Sequence, residues 1–246
     1  MKIRFLGTSH GVPSETRFCS STMIEVGEAI YIIDGGAPVI DQLLRSGAHP
    51  NSVKAVFTTH MHGDHTLGLL NFLDLCSWYY KESAFECYLT EEAGVVAFRQ
   101  VIDAVSKKFD EERIRLKVSS AGTFYRDENI TVTAYPTLHF HNGQYPSYSL
   151  VIDTKDGERV IFTGDLHWGD AKDFPTVAIN EPSDAIICEM AHFSYKTIFP
   201  ILERCPTKRI FINHVYFNYD ENMQAIRDAK LPVPIKAVED NEEYDI

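Results

Sequence analysis

Cysteine pairing is the first thing this sequence lacks. Its five cysteines, Cys19, Cys76, Cys87, Cys188 and Cys205, include no CxxC pair and make an odd total, so neither a disulfide framework nor a thiolate zinc knuckle is expected. That usage fits a reducing compartment, and the cytoplasm is the expected location. No apolar run approaches the roughly 20 residues needed to cross a bilayer, so no membrane partner is expected. Residues 2–6 alternate like a strand and run straight into Gly7-Thr8, which leaves no room for a signal peptide. Basic charge is scarce as well. Against 35 Asp and Glu stand 23 Lys and Arg, a formal charge of −12, and this works against a broad basic face for gripping long nucleic acid. There is also no linker, low-complexity stretch or break in composition, so residues 1–246 read as one domain, with 239–246 an acidic, solvated tail.

What the sequence does contain is a histidine cluster. In Thr58-Thr59-His60-Met61-His62-Gly63-Asp64-His65, four residues able to bind metal follow directly on the apolar run 53–57, which reads as a buried strand. His60 and His62 are two apart, so both side chains leave an extended backbone on the same side and can share one cation. Gly63 lets the chain turn. Asp64 and His65 then project from the first turn of a following helix and can serve a second cation. A lone HxH is more often a pair of solvated loop residues, and Asp64 alone reads equally as a helix N-cap. Three imidazoles and a carboxylate together answer no capping or packing need.

The remaining pattern alternates between strands and helices. Strands are predicted at 2–6, 21–26, 29–33, 53–57, 115–118, 130–136, 147–153, 159–162, 184–188 and 209–212, and helices at 39–45, 66–80, from 91 to about 107, and 194–204. Trp78, Tyr79, Tyr80, Phe85 and Tyr88 crowd the turn after the second helix; such aromatics are usually core, with a substrate wall or a homodimer face as the alternatives. Several predicted strands hand over to a candidate ligand, namely His139, Asp165 and His214. Asp34, after the third strand, reads equally as a turn residue and as a group that orients a histidine ligand. Singly, such histidines are more often rim or core residues. Jointly they matter, because layered α/β folds gather functional groups at strand ends.

On these motifs the chain resembles the metallo-β-lactamase superfamily of metal-dependent hydrolases. His60-Met61-His62-Gly63-Asp64-His65 is similar to the family signature, and Pro136-Thr137-Leu138-His139, Thr163-Gly164-Asp165 and Asn213-His214 follow in the family's order. The resemblance implies an α/β fold, a four-layer αββα sandwich. It also implies that His60, His62 and His139 hold one divalent metal, that Asp64, His65 and His214 hold another, and that Asp165 bridges them. Phe5-Leu6-Gly7-Thr8-Ser9-His10-Gly11-Val12-Pro13 and the Leu67-Gly68-Leu69-Leu70 run resemble the ribonuclease Z and phosphodiesterase branch. A short hairpin stands where tRNA-processing members insert a basic arm, and Cys188-Glu189-Met190-Ala191-His192 stands in place of their His-Glu-Ala-Thr motif.

The expected function is therefore a dinuclear metal hydrolase, most readily a phosphodiesterase in which a metal-bridging hydroxide attacks a small nucleotide or other phosphodiester. Zinc suits the mixed imidazole and carboxylate donors, with manganese and iron as alternatives. Asp64, His192 and Glu189 are the catalytic candidates, with His192 held by Glu189 as the general acid; His141, His167 and His10 are weaker candidates for substrate contact. A thioester, lactone or carboxylic ester hydrolase on the same site is the alternative chemistry, and a metal-stabilised binding protein without turnover is the alternative class. A small molecule or short nucleotide is the expected partner, long nucleic acid is not, and a homodimer is a candidate assembly.

Overall fold

The computed structural model describes residues 1–106, 109–216 and 219–246. The chain divides into two compact units, residues 1–119 with 240–245, and residues 120–239 with 246. Among the described residues no helix is long and apolar enough to cross a membrane.

The first unit opens with an antiparallel meander, β1 (Lys2–Gly7), β2 (Ser21–Val26) and β3 (Ala29–Ile33). The β2–β3 turn is the two-residue loop Gly27-Glu28, with Gly27 at φ 62°, a conformation in which a side chain on residue 27 would be strained. Helix α1 (Val39–Arg45) follows, and β4 (Val53–Phe57) then joins β3 in parallel. Its apolar run is buried at four of its five residues, as befits a parallel strand covered on both faces. Helix α2 (Gly63–Trp78), β5 (Phe85–Leu89), α3 (Glu92–Ser106) and β6 (Ile114–Val118) complete the parallel half.

Helix α2 buries His65, Gly68, Leu69, Phe72, Leu73 and Cys76, a spacing of three and four that makes one continuous stripe. That stripe packs with Val39, Ile40 and Leu43 of α1 and with Met23, Ile32 and Val56 of the sheet in one apolar cluster. Gly68 sets how closely the helix can approach. A Cβ there would lie 2.5 Å from the carbonyl oxygen of Gly36 and 2.7 Å from that of Gly35, so helix and loop meet backbone to backbone.

The second unit repeats the scheme. Strands β7 (Gly122–Arg126), β8 (Ile130–Pro136), β9 (Tyr148–Thr154) and β10 (Arg159–Phe162) form an antiparallel meander. After α4 (Thr176–Asn180), strands β11 (Ala185–Met190), β12 (Ile210–Val215) and β13 (Ile235–Ala237) add on in parallel, with α5 (Tyr195–Leu202) and α6 (Tyr219–Arg227) between them. Its core gathers Val151, Ile161, Ile186, Ile212, Phe193 and Leu202.

Two expectations need correction. The segment after α2 is not an aromatic turn throughout: Phe85 and Tyr88 belong to β5 and are buried, whereas Trp78 and Tyr79 are exposed. Nor is the acidic end a solvated tail. Strand β14 (Glu243–Asp245) pairs antiparallel with β1, bringing the first unit's mixed sheet to seven strands among the described residues. Charge explains the pairing, because Glu243 meets Lys2 at 3.3 Å and also pairs with Arg4. Asp240 anchors the approach by accepting hydrogen bonds from Thr8 Oγ1 at 2.6 Å and the Phe18 N–H at 2.7 Å. The predicted end of the third helix, near 107, lies outside the described residues.

The backbone contact at Gly68 gives a stability prediction. Gly68→Ala is expected to cost about 1–3 kcal/mol through overpacking, seen as a lower urea midpoint at unchanged slope. Leu67→Ala, on the exposed face of the same helix, is expected to change stability by less than about 0.5 kcal/mol.

Candidate metal centre

In the first unit the site begins where β3 and β4 end side by side. Asp34, directly after β3, sits at φ 57°, a left-handed conformation that a non-glycine residue adopts at some cost. From there its carboxylate turns inward. It accepts the Thr59 N–H at 2.7 Å and the Thr59 hydroxyl at 2.9 Å, and it stands 2.8 Å from His65 Nδ1. Asp34 is therefore both a turn residue and the group that orients His65. With Nδ1–H committed to a carboxylate, the His65 lone pair lies on Nε2.

His60, fully buried, follows β4, and its Nε2 is 2.9 Å from Nδ1 of His62. The residue between them, Met61, packs against the apolar cluster beneath α2, which leaves the two rings on one side as their spacing predicts. His62 is the N-cap residue of α2, so Gly63, Asp64 and His65 form its first turn. A carboxylate at a helix N-terminus is favoured by the helix dipole. Asp64 Oδ2 lies 3.3 Å from His65 Nε2, and the His60 and His65 rings are centred 4.2 Å apart.

In the second unit the focus is Asp165, buried just after β10. Nε2 atoms of three imidazoles surround its Oδ2: His214 at 3.4 Å, His139 at 3.6 Å and His192 at 3.9 Å. His139 follows β8 and directs Nδ1 at the Leu166 carbonyl, 3.3 Å away. Burial, only partly opposed by Asp165, lowers its pKa and so favours the neutral ring. His214 owes its position to a bulge. Glu189 of β11 pairs with Asn213 and Met190 with Val215, so His214 is the extra residue of β12, at φ 56°. Such a bulge re-aims one side chain without breaking the ladder on either side.

Glu189 acts as a hub. Its carboxylate accepts the N–H groups of Leu166 at 2.9 Å, Ala191 at 2.6 Å and His192 at 3.2 Å, and stands 2.9 Å from His192 Nδ1. His192 is thus held with Nε2 directed toward Asp165. Its placement after the glutamate suffices, because the chain turns back at Ala191 and the ring returns onto Glu189.

The weaker candidates fare differently. His167 is engaged at both nitrogens, by Asp170 at 2.7 Å and Asn142 at 3.0 Å, and serves to tie two loops together. His141, at φ 50°, packs with Phe140 and Tyr145. His10 lies half-buried on the loop after β1. Thr59 and Asp173 were not singled out from the sequence. Asp173 accepts the N–H groups of Leu138 at 2.5 Å and His167 at 2.9 Å, and no local motif marks it. Among the described residues, His60, His62, Asp64, His65, His139, Asp165 and His214 each belong to a group of histidines and carboxylates that could hold a metal ion.

The family described as Anti-Pycsar protein Apyc1 matches residues 1–228. The chain belongs to that family. A ribonuclease Z of Cyanothece sp. is 31% identical over 141 residues, covering 56% of this chain and 43% of the relative. The chain thus spans about half the length of the curated relatives it matches. Among solved structures, human tRNase Z, short form, superposes with a TM-score of 0.75 at 20% identity, over 100% of this chain and 99% of that one. The metallo-β-lactamase fold protein YhfI from Bacillus subtilis gives 0.78 at 17% identity, over 99% of each chain. The Apyc1-family chain accordingly has the αββα metallo-β-lactamase fold, with relatives in the ribonuclease Z branch. These relatives overturn one expectation. Net charge argues against long nucleic acid as a partner, yet the relatives are named for acting on RNA. Net charge describes the whole surface and is a poor guide to what a local site accepts.

The bond from Asp34 to His65 gives a prediction. Asp34→Ala is expected to weaken zinc binding roughly 10–100-fold, measured by competition with a chromogenic chelator. Asp34→Asn, which keeps the shape but removes the charge, should fall between the variant and the wild type.

Proposed function

We propose that the chain is a metal-dependent phosphodiesterase that uses two divalent ions and acts on nucleotide phosphodiesters, with small cyclic or short nucleotides the first class to test. The donor chemistry of both units fits such ions, since the ligands are imidazoles and carboxylates without thiolate, in the pattern that zinc, manganese or iron accept. Under this reading His60, His62 and His139 hold one ion, Asp64, His65 and His214 the other, and Asp165 is shared. When bound, the ions supply a nucleophile at neutral pH and neutralise charge on the phosphoryl oxygens.

The observation that carries the reading is the Glu189–His192 pair beside Asp165. Hydrolysis of a phosphodiester must deliver a proton to the departing alkoxide, and an imidazole is suited to that at neutral pH. Glu189, buried and holding three backbone N–H groups besides the ring, keeps Nδ1–H engaged. The proton to be donated is then the one on Nε2, the atom nearest Asp165. A reducing, cytoplasmic setting belongs to the same proposal, supported by five free, buried cysteines.

Purified protein loaded with zinc or manganese is expected to hydrolyse cyclic mononucleotides or short oligonucleotides faster than thioesters and lactones, with RNA assayed alongside. Inactivity on every phosphodiester, with turnover of an ester, would reject the proposal. His192→Ala is expected to lower kcat roughly 10²–10⁴-fold with metal content unchanged, and to lose far less on a substrate with a nitrophenolate leaving group, which departs without a proton.

A further inference from the structure

We propose that Trp168 is the surface on which the substrate's nucleobase stacks, an assignment that rests on the nucleotide reading above. Trp168 is 59% exposed, yet its indole is not a loose surface ring. It meets the His192 imidazole edge to face, with centroids 5.4 Å apart and planes at 69°. The indole is thus held against the proposed proton donor while much of its surface remains open to solvent.

The backbone that carries it is pinned on both sides. Before it, the Leu166 N–H donates to Glu189 and the His167 N–H to Asp173. After it, the Gly169 N–H donates to the His192 carbonyl at 2.9 Å and the Gly169 carbonyl accepts from Thr197 at 3.3 Å. Gly169 and Ala171 both take positive φ, 86° and 47°, and Ala171 is buried. A non-glycine residue held there shows that the surrounding contacts dictate the turn. The ordering cost of presenting an aromatic ring is therefore met before any ligand arrives, which is the condition under which a stacking contact adds affinity.

Trp78 makes the contrast. It is also exposed, but it sits on α2, donates to Asp74 four residues earlier and meets the ring of its neighbour Tyr79 edge to face. Trp168 instead lies on a segment tied to a second loop that carries aromatic rings. Asp173 ties its segment to the 138–145 loop, as does the His167 to Asn142 contact, and that loop carries Phe140, His141 and Tyr145 packed on one another at 5.3–5.4 Å. A π surface offers nucleotides a grip that does not depend on charge. Stacking also tolerates any base, because every base has a π face. The ligand class is therefore nucleoside phosphates without strong base preference, supplied as mononucleotides or as an RNA end.

The sequence has two tryptophans, so Trp78→Phe leaves Trp168 as the sole indole fluorophore. Metal-loaded W78F protein titrated with a 5′-mononucleotide, and separately with a short oligoribonucleotide, is expected to show saturable quenching of Trp168 emission with one or both. Ribose 5-phosphate, which lacks a base, is expected to cause none. Trp168→Ala is expected to raise the nucleotide Kd roughly 5–100-fold, with Trp168→Phe recovering most of the loss and ribose 5-phosphate binding unchanged. The assignment is overturned if calorimetry shows nucleotide binding without quenching, if no nucleotide binds, or if Trp168→Ala weakens both ligands equally. Quenching that persists in a protein inactive on every phosphodiester would reject the proposed reaction and leave the stacking site standing.

Discussion

A buried imidazole is useful to a metal or to a proton only if one of its nitrogens is already committed. In the first unit Asp34 takes Nδ1–H of His65, and in the second Glu189 takes Nδ1–H of His192. Each carboxylate is in turn held by several N–H or O–H donors. Removing such support costs more than one bond. An orphaned buried polar group carries a penalty of about 1–3 kcal/mol, more when charged, and the ring it held regains a choice of tautomer and rotamer. The local folds of both units can be understood as ways of placing these two carboxylates.

Sheet topology does the placing. In each unit an antiparallel meander gives way to parallel strands, at β3–β4 in the first and β10–β11 in the second. At that changeover two neighbouring strands point the same way, so their C-terminal ends lie side by side and the loops leaving them diverge, the circumstance in which open α/β sheets bind ligands. Asp34 leaves β3 and Asp165 leaves β10, the last meander strand in each case. The first parallel strand then supplies the partner, Thr59-His60 after β4 and Glu189 within β11. Positive φ at Asp34 and His214 shows where regular strand geometry yields to the site.

Much of this was legible in the sequence because it depends on short-range pattern. The histidine motif is contiguous, its strand is a clean apolar run, and the change from strand to helix is marked by Gly63; all three are visible without knowing the fold. Strand ends carrying His139 and Asp165 were legible for the same reason. What was not legible depends on partners distant in the chain. Strand β5 looked like part of an aromatic turn because Phe85 and Tyr88 follow closely on Trp78, Tyr79 and Tyr80, and its pairing with β4 and β6 makes it a strand. Strand β14 is three residues of mixed charge whose pairing depends on Lys2 and Arg4 at the opposite end of the sequence. The bulge at His214 leaves no local mark, since Asn213-His214 would read the same in a regular strand.

The error about nucleic acid has a different origin. A formal charge of −12 sums over a surface on which many acids are already spent on internal work: Asp34 and Glu189 hold histidines, Asp240 and Glu243 anchor β14, and Asp184 pairs with Lys208. Asp34 and Glu189 in particular are buried, so neither is a freely solvated charge of the kind the sum treats alike. Bound cations would shift the balance again, since two divalent ions carry four positive charges into whichever pocket holds them. Under the proposed function, the field a phosphodiester would meet at such a site would be set by bound ions and the nearest donors, within about one Debye length of ~8–10 Å, and hardly by acids on distant faces. Net charge therefore argues about solubility and long-range steering, not about which substrate a local site takes.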